Sequence, residues 1–164
     1  MIESNEIEAR LDSVWEALAH ETRSFRLVAD VQRCVSQVGE RRIVLPVCLI
    51  DAAHRAGVAL IISEQDAKNL ASVMFDLPHD QLTPSDIDDA CGEACNIFSG
   101  CLVQYLLSGY LADVGLPEAM ALQGYREISL ASGIKALFEA GYNARRLTVI
   151  LFDPLAEYRT VETT

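Results

Sequence analysis

The sequence predicts an α+β fold, in which an antiparallel sheet has two long helices packed on one face. Three short runs rich in β-branched residues are typical of strands: RIVLPVCLI at 42–50, GVALII at 57–62 and RLTVILF at 146–152. Two amphipathic segments, beginning after the capping residues Ser63 and Thr83, are typical of helices. At 164 residues, the chain is expected to form a single domain over 1–164.

The N-terminal segment, residues 1–24, is predicted to contain an amphipathic helix. Its apolar residues recur at helical spacing: Ile7, Leu11, Val14, Trp15 and Leu18. Trp15 is the only tryptophan and is expected to pack in the core. From 25 to 38 the pattern fits a strand or a helix, and the sequence does not decide between them.

The middle of the chain is predicted to be a two-stranded unit followed by a helix. Pro46 has no backbone N–H to donate, so the first strand should have an edge or a bulge at that point. Ser63 is expected to cap the following helix, with Asp66 at the capping-box distance.

The C-terminal part has one clear strand, at 146–152, which ends before Asp153-Pro154. Residues 134–139, IKALFE, fit either a helix or a strand. Upstream of them, Leu116-Pro117 and Gly124 indicate a loop-rich segment with room for one short strand. Residues 155–164 are predicted to form a flexible tail.

The helix that begins after Thr83 has the strongest signals in the chain. Thr83 can cap its first N–H groups, Pro84 suits the first helical position, and Asp86 lies three residues after the cap. The helix is expected to end near Gly109. One apolar stripe runs along it: Ile87, Ala90, Cys91, Ala94, Phe98, Cys101, Leu102 and Tyr105.

A narrow polar ribbon lies on the other side of this helix. At about 100° per residue, its members fall within a sector of roughly 80°: Asp89, Glu93, Asn96, Gly100 and Gln104. Gly92 and Gly100 each cost about 1 kcal/mol of helix stability relative to alanine. Either they pack against a neighbouring element, or they let a partner approach Glu93 and Asn96 closely; the spacing alone leaves both explanations open.

Composition narrows the class of partner. The 13 basic and 24 acidic residues give a net charge of −11, which disfavours nucleic acid and anionic membranes as partners. No segment resembles a signal peptide, and no apolar run approaches the ~20 residues that span a bilayer. The five cysteines are odd in number and lack a C-x-x-C pair, which favours buried thiols in a reducing cytoplasm over disulfides or a zinc site.

The run DACGEACNIFSG, from 89 to 100, resembles the CheX/CheC/FliY chemotaxis phosphatases, and CheX most closely. The family's pattern is an acidic residue and an alanine, then G-E-x-x-N and a glycine four residues later. The matching residues are Asp89, Ala90, Gly92, Glu93, Asn96 and Gly100. Two features depart from the family. Cys101-Leu102 follows Gly100 where a small-residue run is usual, and the chain has one E-x-x-N copy where CheC-like members have two.

The resemblance implies a phosphatase that hydrolyses the aspartyl phosphate of a CheY-like response-regulator receiver. Asn96 would orient the attacking water, since an amide offers both a donor and an acceptor. Glu93 would dock the receiver's active-site lysine. Asp89, Gly92, Gly100 and Gln104 would contact the partner. Mg²⁺ would come from the receiver, and the chain would have no cofactor of its own.

Other interpretations stay open at this stage. The chain could be a non-catalytic adaptor that binds a receiver or a partner subunit. Asp66-x-x-Asn69 is the nearest second copy of the motif, but it has the wrong acid and lacks the glycines, so we assign it to ordinary surface. The resemblance also implies a homodimer, with the strand around Pro46 or the strand at 146–152 as candidate contacts.

Overall fold

The structure, a computed structural model, describes residues 3–29, 36–50 and 52–157. Their helices and strands are, in chain order, α1 (Ser4–Ala19), β1 (Arg26–Leu27), β2 (Glu40–Leu49), β3 (Arg55–Ser63), α2 (Glu64–Phe75), α3 (Pro84–Leu106), β4 (Ala112–Val114), β5 (Glu118–Ala119), α4 (Leu122–Ala131), β6 (Ile134–Tyr142) and β7 (Arg145–Phe152). The predicted α+β class is confirmed. Among the described residues, no helix has the length and hydropathy needed to span a membrane.

The strands form one antiparallel sheet in the order β1-β6-β7-β3-β2-β4, and β5 also pairs with β2. The strand at 146–152 lies inside this sheet, because β7 has β6 on one side and β3 on the other. It therefore has no free edge, and the prediction that it could supply a dimer contact by strand pairing is wrong. The homodimer itself stays a prediction.

Pro46 lies where the sheet has a gap. It is opposite Gly57 of β3, and its carbonyl oxygen accepts a hydrogen bond from the Gly115 N–H on the other side, at 2.8 Å. In an antiparallel strand, the N–H and C=O of one residue point towards the same neighbouring strand. The N–H that proline lacks would therefore point away from β3, towards the side on which Gly115 lies. On that side of β2, β5 pairs with Ile43 and Val44, and β4 pairs with β2 only from Val47 onwards. The sheet thus continues past Pro46 as two short strands.

Helices cover both faces of the sheet. The larger core joins α1, α2 and α3 to alternate strand residues such as Leu45, Leu60 and Val149. The predicted pair of long helices on one face is confirmed, and α1 packs beside them with Trp15 fully buried. A smaller core on the opposite face joins Ile61 and Ile150 to Tyr125 and Ile128 of α4. The central strand β3 is accordingly buried along almost its whole length.

Several sequence-based predictions need correction or completion. The segment predicted to be loop-rich with a short strand contains α4 as well as β4 and β5. Residues 134–139 belong to a strand, β6. Within 25–38, Arg26–Leu27 is a short strand, while 30–35 lie outside the described residues. The long helix ends at Leu106, three residues before Gly109.

The predicted flexible tail, 155–164, is wrong for its first two residues. Leu155 is buried, and its N–H donates to the carbonyl oxygen of Arg55 at 2.7 Å. The Ala156 N–H donates to Ser132 Oγ at 2.8 Å. These two residues are therefore held against the sheet, and 158–164 lie outside the described residues.

Candidate functional site

The start of α3 has the cap that the sequence predicts. Thr83 Oγ1 accepts a hydrogen bond from the Asp86 N–H at 3.1 Å, and Asp86 Oδ2 accepts one from the Thr83 N–H at 2.8 Å. This reciprocal bonding lowers the pKa of the Asp86 carboxyl, mainly through the backbone hydrogen bond from Thr83. The cap fixes where the helix begins and hence which residues face outward along it.

Small side chains on α3 let it lie close to the sheet. Cys95 Sγ lies 3.9 Å from the carbonyl oxygen of Ile43 and 3.8 Å from that of Val58. Burial raises the pKa of the Cys91 and Cys95 thiols to about 12. One turn later, the ring of Phe98 meets that of Phe25 edge-on at 5.7 Å between centroids. The predicted apolar stripe is thus the buried side of the helix, although Cys48, on β2, is exposed against prediction.

All members of the predicted polar ribbon are exposed: Asp89, Glu93, Asn96, Gly100 and Gln104. Within the part of the chain that the structure describes, the Glu93 and Asn96 side chains take part in no hydrogen bond or ion pair. A carboxylate and an amide on successive turns of a rigid helix are therefore free to contact another molecule.

The two helix glycines have different surroundings. Gly92 is buried, and a Cβ at this position would come within 3.2 Å of the Pro117 Cγ. It therefore allows another segment of the same chain to approach, which is the structural explanation left open by the sequence. A Cβ at Gly100 would meet no atom within 4 Å. The space beside Gly100 is open to a partner.

Glu93 and Asn96 lie in an open groove of about 340 Å³. One wall is α3, which contributes Asp88, Asp89, Gly92, Glu93 and Asn96. The other wall comes from the segment after β4, and its residues were not predicted from the sequence: Gly115, Leu116, Pro117 and Ala119. Gly100 and Gln104 continue the ribbon beyond the groove.

A cluster of charges joins this helix to its neighbours. Arg41 of β2 donates to both carboxylate oxygens of Glu64, at 2.7 and 3.1 Å, and also pairs with Asp88. These hydrogen bonds raise the pKa of the Arg41 guanidinium and lower that of Glu64. Asp88 thus shares Arg41 with Glu64, whereas Asp89 and Glu93 face the groove without a cationic partner among the described residues.

The described residues contain no group of three or more His, Cys, Asp or Glu side chains able to hold a metal ion.

Solved structures of CheX and CheC-like proteins have a similar arrangement of strands and helices. A chain of the CheX–CheY–BeF3–Mg²⁺ complex from Borrelia burgdorferi aligns with a TM-score of 0.64 at 12% identity, covering 96% of this chain and 100% of that chain. A CheC-like superfamily protein from Shewanella sp. PV-4 gives a TM-score of 0.61 at 14% identity, covering 91% and 95%. The chain has a CheX/CheC-like fold.

A chain of the FliM–SpeE complex from Helicobacter pylori shares this CheX/CheC-like fold, with a TM-score of 0.59 at 8% identity, over 92% of this chain and 83% of that chain. No protein-family model matches the sequence, and no match was found among curated proteins. The fold resemblance implied by the motif on α3 is thus confirmed in three dimensions, at identities that leave function to be argued from the site.

Proposed function

We propose that the protein is a phosphatase that hydrolyses the aspartyl phosphate of a CheY-like response-regulator receiver. One observation carries the proposal. Glu93 and Asn96 are exposed on one face of a buried, capped helix, beside an open groove, and neither side chain has an internal partner among the described residues. The complex formed by the CheX of Borrelia burgdorferi with CheY supports the choice of partner.

Asn96 would position the nucleophile. Its amide oxygen can accept from a water molecule while its N–H₂ group donates to the phosphoryl oxygens, and neither role changes its protonation state. The water oxygen bonds to phosphorus as the bond to the aspartyl oxygen breaks. The receiver regains its carboxylate, and both protons of the water leave on the phosphate. Phosphoryl transfer depends mainly on such positioning and on stabilisation of spreading charge.

Glu93 would set the register of docking. It lies nearly one turn before Asn96, so a lysine of the receiver that pairs with Glu93 would place Asn96 over the phosphoryl group. Mg²⁺ would remain a component of the phosphorylated substrate. Because the proposed partner is a cytoplasmic signalling protein, we propose that this protein is cytoplasmic too.

The residues at which the sequence departs from the family do not lie in the proposed site. Cys101 and Leu102, which follow Gly100, are buried in the larger core. They therefore affect the packing of α3, while the exposed ribbon keeps the family's residue types. This observation favours the phosphatase over a non-catalytic adaptor, which is kept as an outcome of the test.

The test follows phosphate loss from purified phospho-receivers of the same organism. We expect Asn96→Ala to slow hydrolysis by on the order of 10²-fold or more at an unchanged melting temperature, because the water is no longer oriented. Asn69→Ala, on α2, is the matched control and should hydrolyse at the parent rate. Glu93→Ala should also weaken binding to a receiver loaded with beryllofluoride and Mg²⁺.

Two results would contradict the proposal. If Asn96→Ala hydrolyses as fast as the parent, Asn96 does not position the water. If the parent binds a loaded receiver but releases no phosphate from any phospho-receiver, the protein is an adaptor.

A further inference from the structure

The groove beside Glu93 has a second wall made by a short connector, residues 115–117, between β4 and β5. The connector runs alongside α3 without belonging to it. Its middle residue, Leu116, has 85% of its surface exposed and lines the groove together with Glu93 and Asn96. A large apolar side chain is therefore presented to solvent beside the polar pair.

The backbone on both sides of Leu116 is held in place. The Gly115 N–H donates to the Pro46 carbonyl oxygen at 2.8 Å, and a Cβ at Gly115 would come within 2.7 Å of Pro46 Cγ, so only glycine fits there without displacement. Pro117 packs against Gly92 of α3. Immediately afterwards, β5 pairs with Ile43 and Val44 of β2. The backbone that carries Leu116 is thus held in place, while the side chain is exposed.

An apolar side chain on a backbone that is already fixed costs less to bury than one on a mobile loop, because the backbone need not be ordered on binding. Specific interfaces combine an apolar centre with polar groups that fix orientation. Leu116 and the α3 ribbon provide this combination within one groove.

The charges of the groove determine what kind of surface can cover it. Asp88 is paired with Arg41, whereas Asp89 and Glu93 have no cationic partner among the described residues. A partner must bring at least one cation to these acids and an apolar side chain to Leu116. The net charge of −11 also favours a partner with a locally basic face.

We propose that Leu116 is the apolar anchor for the receiver domain, and that the receiver docks between the connector and α3 with its cationic group on Asp89 and Glu93. This inference rests on the proposed function for the identity of the occupant. It adds a binding residue outside the helix, with a role separate from the chemistry at Asn96.

The experiment measures two quantities for the full chain. One is the Kd for purified receiver domains loaded with beryllofluoride and Mg²⁺. The other is the pair KM and kcat for phosphate release from the same receivers. We expect Leu116→Ser to raise both Kd and KM about tenfold with kcat unchanged, since truncating an interface anchor commonly has an effect of this size. Leu116→Met should restore both to within about twofold.

Leu130→Ser is the matched control. Leu130 is 88% exposed, but it lies on α4, against the opposite face of the sheet. This substitution should leave Kd, KM and kcat at the parent values.

The outcomes separate this inference from the proposed function. A parent that releases phosphate, with Leu116→Ser equal to Leu130→Ser, overturns the anchor alone. A fall in kcat at constant KM also overturns it, because Leu116 would then act on the chemistry. A parent that releases no phosphate but binds a receiver in a Leu116-dependent way upholds the anchor and overturns the phosphatase. A parent that binds no receiver overturns both.

Discussion

Two helices of this protein carry an acidic residue followed three positions later by asparagine, and the two pairs lie in opposite environments. Glu93 and Asn96 on α3 are exposed, without partners among the described residues. Asp66 on α2 is buried, with only 1% of its side chain exposed, and Asn69 accepts a hydrogen bond from Gln65 at 3.0 Å. The assignment of Asp66 to ordinary surface is therefore wrong.

Asp66 is buried because two arginines reach it from other parts of the chain. Arg23 Nη2 donates to Asp66 Oδ1 at 2.8 Å, and Arg145 Nε lies 3.3 Å from the same oxygen. The Arg23 guanidinium also lies over the rings of Trp15 and Tyr142, at 5.6 and 5.4 Å from their centroids. This cluster fastens the start of α2 to the segment after α1 and to β7. The same spacing thus serves structure on one helix and a candidate site on the other.

The largest difference between the two pairs should appear in how much each acidic residue contributes to the free energy of unfolding. We expect Asp66→Ala to lower the free energy of unfolding by about 3 kcal/mol, the lower end of the range for a broken buried ion pair, because Arg23 loses Asp66 but keeps its ion pair with Glu21. Glu93→Ala should change it by no more than about 0.5 kcal/mol, since Glu93 is exposed and makes no hydrogen bond or ion pair with the described residues. Urea unfolding of the two variants measures both values. Equal losses for the two substitutions would mean that the environments do not differ as described.

A smaller difference concerns the helix starts. Both helices have aspartate at the third position, but Asp86 bonds back to its cap, whereas Asp66 turns into the core and leaves Ser63 to cap α2 alone. We expect Thr83→Ala to cost about 1 kcal/mol of unfolding free energy. Ser85→Ala, an exposed exchange one position before Asp86, should cost less than about 0.5 kcal/mol. Equal melting temperatures for the two variants would show that the cap does not stabilise α3.

The smallest effect is a pH dependence of the free energy of unfolding. It arises in the cluster that joins the two helices, where Arg41 bonds to Glu64 and Asp88. The pKa of Glu64 is lowered in the folded state by its hydrogen bonds from Arg41. Its contribution to stability is therefore present above the ordinary glutamate pKa and is lost as the pH falls through the lower folded value. Glu64→Gln should accordingly lose less stability than the parent between about pH 5 and pH 3.

Urea unfolding at several pH values in this range measures that difference. Glu16→Gln, an exposed exchange on α1, supplies the baseline. If Glu64→Gln and Glu16→Gln follow the same curve, the Arg41 bonds do not stabilise the fold.

Only the α3 wall of the groove could be predicted from the sequence. The stripe through Phe98 and the exposed ribbon with Glu93 and Asn96 follow from a 3.6-residue period, and the cap follows from the residue type of Thr83. For Leu116 and Pro117 the sequence indicated only a loop. Their position beside α3 could not be predicted, because it depends on how β4 and β5 pair with β2. Likewise, α4 is short and lies among loop-forming residues, so the sequence pattern did not reveal it.

The sequence by itself determined the elements whose signals are local: the strands β2, β3 and β7, the capped start of α3, and the face of α3 that is exposed. Only the tertiary structure decided which acid is buried, which segment forms the second wall of the groove, and which strands are interior. Local signals act through neighbours a few residues away along the chain. Burial of Asp66 and the position of Leu116 depend on Arg23, Arg145 and Pro46, which come near only after the sheet has assembled.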